Sequence, residues 1–322
     1  MADRGKTIES NPSHLPFDIN DYDYLKKTTK HFSNEIGKGP FGSSLYKGIL
    51  EDGRTITVMK LAENAPLSDD VYTRFKNGVK ILMEREHENV VKVFGYCHET
   101  IKKSVESNGR HMFADITETL LCYEYFSTGS VQNLVAKTSN IDWGKRFNIV
   151  KGICHGLHYL HSSSIFHMDL NPQNIWLDDN MVPKIANFGF AILELFGQEK
   201  FRMNKISDVG SVGYMAPEFR YYGEISAPAP LDIYSLGLII IEIATGENHC
   251  GSEDRDARKF VDQVRQDWTK DVIMFEYPDL DLDGRGQVKT CIDIGLQCLE
   301  IDQKKRPSIE KVLSMLNGRD LP

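Results

Sequence analysis

The chain has 322 residues, 41% of them hydrophobic and 26% charged, with 46 Asp and Glu against 38 Lys and Arg for a net charge of −8. That is enough chain for two lobes or one large domain around a real core, which excludes fibrous, disordered and disulfide-stapled mini-protein classes. The acidic balance also speaks against a nucleic-acid partner, because phosphate backbones are held by clustered Lys and Arg.

Residues 1–30 read as a polar arm ending in a short helix around Tyr22 to Thr29. From Ile36 to Lys60 the pattern is turn, strand, turn, strand: Ser44 to Ile49 alternates, Glu51-Asp52-Gly53-Arg54 makes a hairpin turn, and Thr55 to Leu61 is β-branched. Val71, Phe75, Val79 and Leu82 recur at helical spacing. Two further strands, Val90 to Cys97 and Thr119 to Tyr125, flank a polar stretch, His98 to Asp115, that reads as a long exposed loop. From Val131 the helical period dominates, notably over Trp143 to His161, Ile233 to Thr245, Ala257 to Thr269 and Gln287 to Glu300. The prediction is an α+β, two-lobed architecture: arm 1–30, β-rich N-lobe 31–126, larger mainly helical C-lobe 127–317, and tail 318–322. The most apolar stretch, Leu236 to Ala244, contains Glu242 and has about half of the roughly 20 residues a membrane span needs, so no direct membrane insertion is expected. The start lacks a signal-peptide apolar region and a glycine at position two. The six cysteines form no CxxC pair, which fits a reducing, cytoplasmic setting.

The chemistry-bearing motifs come in a fixed order. Gly37-Lys38-Gly39-Pro40-Phe41-Gly42 is a glycine-rich turn whose backbone could approach phosphates, and Val58-Met59-Lys60 ends a strand downstream. His167-Met168-Asp169-Leu170-Asn171-Pro172-Gln173-Asn174 follows, then Asn187-Phe188-Gly189, then Ala216-Pro217-Glu218. This series resembles the protein-kinase signature set of Gly-rich loop, strand lysine, H-R-D-L-x-x-x-N, D-F-G and A-P-E. Phrases such as Gly213-Tyr214-Met215-Ala216-Pro217-Glu218 and Lys305-Arg306-Pro307-Ser308 look like plant receptor-like kinases, and Asp178-Asp179-Asn180-Met181-Val182-Pro183-Lys184-Ile185 resembles their large grass branch. The resemblance implies a Ser/Thr protein kinase fold using ATP and magnesium, with Gly37, Gly39, Gly42 and Lys60 on the phosphates. It implies Tyr123 as the residue gating the back of the pocket, and Glu124 to Phe126 as the hinge.

Against that pattern the departures are specific. Asn187 stands where the metal-holding aspartate would, and Asn174 is retained for a second metal; a missing unit charge at about 4 Å is worth roughly 4 kcal/mol at an effective dielectric near 20, or about three powers of ten in rate. Gly78 stands where a helix glutamate would pair with Lys60, leaving Lys60 to seek Glu84, Glu86 or a loop carboxylate. Asp169 is retained as the base, but Asn171 replaces the lysine that steadies the transferred phosphoryl group, and Met168 replaces the arginine, as in non-RD kinases, a group associated with plant innate immunity. Ser44, Met59 and Trp176 align with the adenine-sandwiching valine, alanine and leucine; Met59 and Trp176 add bulk where the base would lie, and for Trp176 a core role under the cleft stays open. His167 and Phe188 resemble the apolar column joining the lobes, Asp232 the helix aspartate holding the catalytic loop, and Glu218 is expected to pair with Arg306. Ser207 and Ser211 are candidate phosphorylation targets. The histidines show no metal-ligand spacing with Cys or carboxylates. The expectation is a cytoplasmic pseudokinase with weak or absent ATP and magnesium binding, working as scaffold, decoy or allosteric partner of an active kinase or immune receptor. The alternative is a slow Ser/Thr kinase with atypical metal use.

Overall fold

The structure, a computed structural model, describes residues 19–39, 43–62, 69–84, 86–107, 110–135, 141–187, 212–222, 228–247 and 257–318. Gly42, Phe188, Ser207 and Ser211 lie outside them.

The N-terminal lobe is built on a five-stranded antiparallel sheet, β1 (Glu35–Lys38), β2 (Ser44–Ile49), β3 (Thr55–Lys60), β4 (Val93–Ser107) and β5 (Arg110–Glu124), in the order β1-β2-β3-β5-β4. Because side chains alternate across a strand, this sheet has two separately filled faces. On the outer face Ile56, Val58, Leu120 and Cys122 pack with Ile19, Tyr22 and Leu25 of the segment carrying α1 (Tyr22–Thr28). Asp21 caps that helix by accepting from Tyr24 N, so residues 19–29, assigned to the arm on sequence, are docked on the sheet. A Cβ at Gly95 would stand 2.6 Å from Ile19 Cδ1, which is why β4 carries glycine where this segment crosses. On the inner face Leu45, Met59, Leu121 and Tyr123 join Phe75, Val79 and Leu82 of α2 (Asp69–Glu84).

Of the stretch expected as a loop, His98 to Asp115, the described residues are instead paired strand. β4 and β5 keep register from His98↔Thr119 to Ser107↔Arg110, a two-stranded ribbon running past the end of β3. Its polar composition reflects solvent on both sides of a ribbon, not the lack of a ladder.

The C-terminal lobe contains α3 (Val131–Val135), α4 (Trp143–Ser162), the short β6 (Ile175–Leu177) and β7 (Pro183–Ile185), α5 (Pro217–Tyr222), α6 (Ala229–Thr245), α7 (Ala257–Asp267), α8 (Lys270–Glu276), α9 (Leu282–Cys298) and α10 (Ile309–Leu316). Helix α6 is buried on all sides from Leu231 to Ala244, which explains its mostly apolar sequence, and the polar Asp232, Ser235 and Glu242 within it are buried too. Gly237 and Gly295 let α6 and α9 touch, since a Cβ at Gly237 would lie 2.8 Å from Gly295 O. Among the described residues no helix is long and apolar enough to cross a membrane. Burial raises the thiols of Cys291 and Cys298 to about 12, so they stay protonated packing groups.

Candidate functional site

The cleft lies under the inner face of the sheet, and strand register decides what enters it. Met59 pairs with Leu45 and Leu121 on that face, whereas Lys60 pairs with Ser44 and Leu120 on the opposite one. Lys60 is therefore not a cleft residue. Its Nζ sits 3.0 Å from Oε1 of Glu118, which is 1% exposed and also bound by Lys103, and lies 4.9 Å from the centroid of the Phe32 ring. The partners expected from sequence, Glu84 and Glu86, pair instead with Lys80 and Lys92.

The physical reason is the two-residue period of a strand. In V-A-I-K the alanine and lysine are two apart and share a face, and here the residues sharing the cleft face are Thr57 and Met59. The motif thus reads Ile56-Thr57-Val58-Met59, with methionine at the lysine position. Likewise Leu45, not Ser44, is the cleft-facing residue of β2; Ser44 Oγ accepts from Lys38 Nζ. Met59 is fully enclosed, and a Cβ on Gly39 would lie 3.6 Å from its Sδ, so the backbone at Gly39 passes directly over the thioether. Gly37, in β1, sits beside Leu45. Gly78 is buried on the α2 face that carries Phe75, Val79 and Leu82. Both halves of the expected ion pair are thus apolar, a consistent pair of changes, because a lone charge buried there would cost several kcal/mol.

Deeper in the cleft four polar side chains close on one another. Tyr123 Oη donates to Asn187 Oδ1 at 2.7 Å, and Asn187 Nδ2 donates to Asn174 Oδ1 at 2.7 Å. Asn174 Nδ2 donates to Asp169 O at 2.8 Å and Oδ2 at 3.1 Å. Burial pushes the Tyr123 hydroxyl far above its ordinary range, so it remains a donor. Asn187 holds this position with φ 64°, a left-handed conformation that asparagine tolerates better than most residues. Both amide oxygens that resemblance assigns to metal already accept hydrogen bonds. A cation there would bring no carboxylate from position 187 and would have to displace these donors; magnesium prefers carboxylates and keeps several waters.

Asn171 has a positive structural role that its reading as a missing lysine did not foresee. Its Oδ1 caps the turn over residues 172–174 by accepting from Gln173 N and Asn174 N, while its Nδ2 donates to Asp169 O at 2.9 Å and Oδ1 at 3.3 Å. Asp169, 9% exposed, therefore has an amide on each carboxylate oxygen. The loop carrying it is anchored from below: Asp232 accepts from His167 N at 2.8 Å and Met168 N at 2.6 Å, and His161 Nε2 lies 2.9 Å from Asp232 Oδ2. His161 was not singled out on sequence. Fully buried His167 contacts Ala186 O through Nε2. Glu218 and Arg306 form a two-bond pair at 2.6 and 2.8 Å, with Arg306 also donating to Pro230 O and Glu300 O.

At the hinge, Thr57 Oγ1 donates to Glu124 O at 3.3 Å and Glu124 N donates to Lys92 O. Phe126 packs on the main core. Lys47, two residues from Leu45, stacks over Tyr125 at 4.7 Å. Trp176 is half-buried against the same core, and its Nε1 has no hydrogen-bond partner among the described residues.

Comparison with known families fixes the kinship of this cleft. The protein kinase domain model matches residues 30–316. The chain belongs to the protein kinase domain family. This kinase domain is 35% identical to cysteine-rich receptor-like protein kinase 28 of Arabidopsis thaliana, over 92% of the chain and 42% of that relative. To cysteine-rich receptor-like protein kinase 44 of the same plant it is 32% identical, over 92% of the chain and 76% of the relative. A G-type lectin S-receptor-like serine/threonine-protein kinase of Arabidopsis thaliana is 33% identical over 91% of the chain. The chain spans 42% of the length of the first such relatives, so the kinase domain has plant receptor-like kinase homologues that are mostly longer than itself.

Proposed function

We propose that this kinase domain is a plant receptor-like pseudokinase of the non-RD type: phosphotransfer is absent or very weak, and the protein works by binding. One observation carries the reading: Met59, fully enclosed, occupies the cleft-facing position of the strand lysine, opposite a helix with Gly78 in place of a carboxylate. Phosphoryl transfer is positioning plus neutralisation of phosphate charge, and this roof offers a thioether. The Tyr123–Asn187–Asn174 chain supports the reading from the metal side. In this role the protein is a cytoplasmic scaffold, decoy or allosteric partner of an active kinase or immune receptor. Retention of Asp169 favours one rival, a slow Ser/Thr kinase.

The test is binding of a fluorescent ATP analogue with magnesium, manganese or chelator, followed by phosphate transfer to a generic substrate. The proposal predicts no saturable binding and no transfer above an Asp169→Asn control. Metal-dependent binding with transfer abolished by Asp169→Asn would establish the rival.

A further inference from the structure

Apart from the cleft residues, the C-lobe holds a cavity of about 500 Å³ between the start of α4, the end of α6 and the segment joining α8 to α9. Three aromatic rings stand in its wall: Trp143, Trp268 and Tyr277. Each already has its polar end engaged inside the protein: Trp143 Nε1 donates to Gln287 Oε1, Trp268 Nε1 to Glu247 Oε1, and Tyr277 Oη to Ala244 O. Trp143 and Trp268 are buried, at 4% and 6% exposure, so the ring face left to a ligand is that of half-buried Tyr277. Asp142, Glu276 and Asp279 also line the cavity, against one lining cation among the described residues, Arg146. The guanidinium of Arg146 is turned to Ile141 O, Tyr277 Oη and the Tyr277 ring. Asp142 has Lys145 beside it at 3.4 Å, whereas Glu276 and Asp279 are exposed and make no ion pair with another described residue.

The surroundings extend the same character. Residues 267–283 carry Asp267, Asp271, Glu276, Asp279, Asp281 and Asp283 with Lys270 as the lone basic residue. On either side of the stretch lining the cavity, Phe275 is 80% and Leu282 85% exposed, with Met274 at 54%. Isolated exposed apolar residues are ordinary, but three of them beside an aromatic cavity with an anionic rim have the composition of a binding surface.

We infer that this face docks a partner-protein segment in which arginine alternates with apolar residues. Arginine would enter the cavity mouth, laying its plane against the Tyr277 ring and meeting Glu276 and Asp279, while its apolar neighbours cover Phe275 and Leu282. Guanidinium is weakly hydrated, stacks on aromatic faces and pairs with carboxylates in a fork, which suits it to this lining better than a compact ammonium. The inference gives a partner chemistry to the binding role proposed above and rests on that role, but on residues outside the cleft.

The probe is a short labelled peptide of alternating arginine and leucine, titrated into the full chain by anisotropy and by tryptophan fluorescence. Saturable binding with a change in tryptophan emission is expected. Glu276→Gln with Asp279→Asn should weaken it about tenfold or more, which is about 1.4 kcal/mol, and Phe275→Ser should weaken it severalfold. Glu51→Gln with Glu106→Gln, exposed N-lobe residues, removes the same charge and should leave binding unchanged. All these positions are exposed, so the variants should fold, which unfolding midpoints check. No binding, equal loss in the N-lobe pair, or equal binding of a glutamate–leucine peptide would overturn the inference. The ATP-analogue titration on the same samples reports the cleft separately, so the two readings fail independently.

Discussion

Tyr123 concentrates the consequences of the altered cleft in one hydroxyl. It is 2% exposed and supplies the donor to Asn187 Oδ1, whose amide group in turn satisfies Asn174. Tyr123→Phe keeps the ring and removes the donor, leaving a buried amide oxygen without it. The expected cost is about 1–3 kcal/mol, read as a lower urea midpoint with an unchanged slope. A change under about 0.5 kcal/mol, the usual size for surface substitutions, would mean that the hydroxyl carries no weight in the chain of bonds. Met59→Lys tests the other wall. Without a carboxylate at position 78 the new ammonium is enclosed and unpaired, so stability should fall by several kcal/mol. Adding Gly78→Glu should recover part of that loss, with a coupling of about 0.5–3 kcal/mol in a double-mutant cycle. Additive losses would show that the two positions do not face each other.

At the scale of elements, α2 is tied to the root of the β4–β5 ribbon by Tyr72, which stacks on His98 at 3.9 Å between centroids, and by His98 Nδ1 at 2.8 Å from Thr119 Oγ1. Burial lowers the pKa of His98, and burial also lowers His87 and His155, with neighbouring cations adding to the effect for the latter two. The sign follows from proton counting. A histidine whose folded pKa is depressed binds fewer protons folded than unfolded, so stability is whole above the unfolded value, about 6.5, and falls as pH drops from there toward the folded pKa. The midpoint of thermal unfolding should therefore decline between pH 7 and 5, and His98→Gln should shrink the decline. An unchanged pH profile in that variant would remove His98 from the account. This ribbon is also where sequence reading was weakest. The two-lobed order, the helices and α1 were legible because apolar periodicity marks one buried face. Residues 100–106 and 111–117 have little core to face, and a ladder between two solvated strands leaves little apolar trace. The cleft was misread at Lys60 for a related reason. Adjacent residues point to opposite faces, and a motif shifted by one position exchanges sheet surface for cleft. Asp232, Glu218 and Arg306 were legible through the resemblance to protein kinases, which implies a helix aspartate under the catalytic loop and a Glu–Arg pair. His161, at the end of a helix rich in histidine, carried no such mark.

For the whole molecule, the shift at Lys60 changes what restoring the family's chemistry requires. Were Lys60 in the cleft, Asn187→Asp with Gly78→Glu would supply both missing carboxylates. With Lys60 bound to Glu118 on the outer face, that pair of changes places two buried anions in a cleft without a strand lysine, while Tyr123 and Asn174 still stand at position 187. The double variant should therefore be less stable than the parent and give no thermal shift with magnesium and ATP. Met59→Lys added to it supplies the cation that both the new glutamate and the phosphates need. A nucleotide shift should appear only in that triple variant, because parts that act as a unit are not additive. Binding at a hundredfold excess over Kd would register as about 2.7 kcal/mol of added stability. A shift in the double variant alone would place Lys60 back among the phosphates. No shift in the triple variant, provided it folds, would put the obstruction in the enclosed roof and floor, where Leu45 and Trp176 are the next side chains to trim.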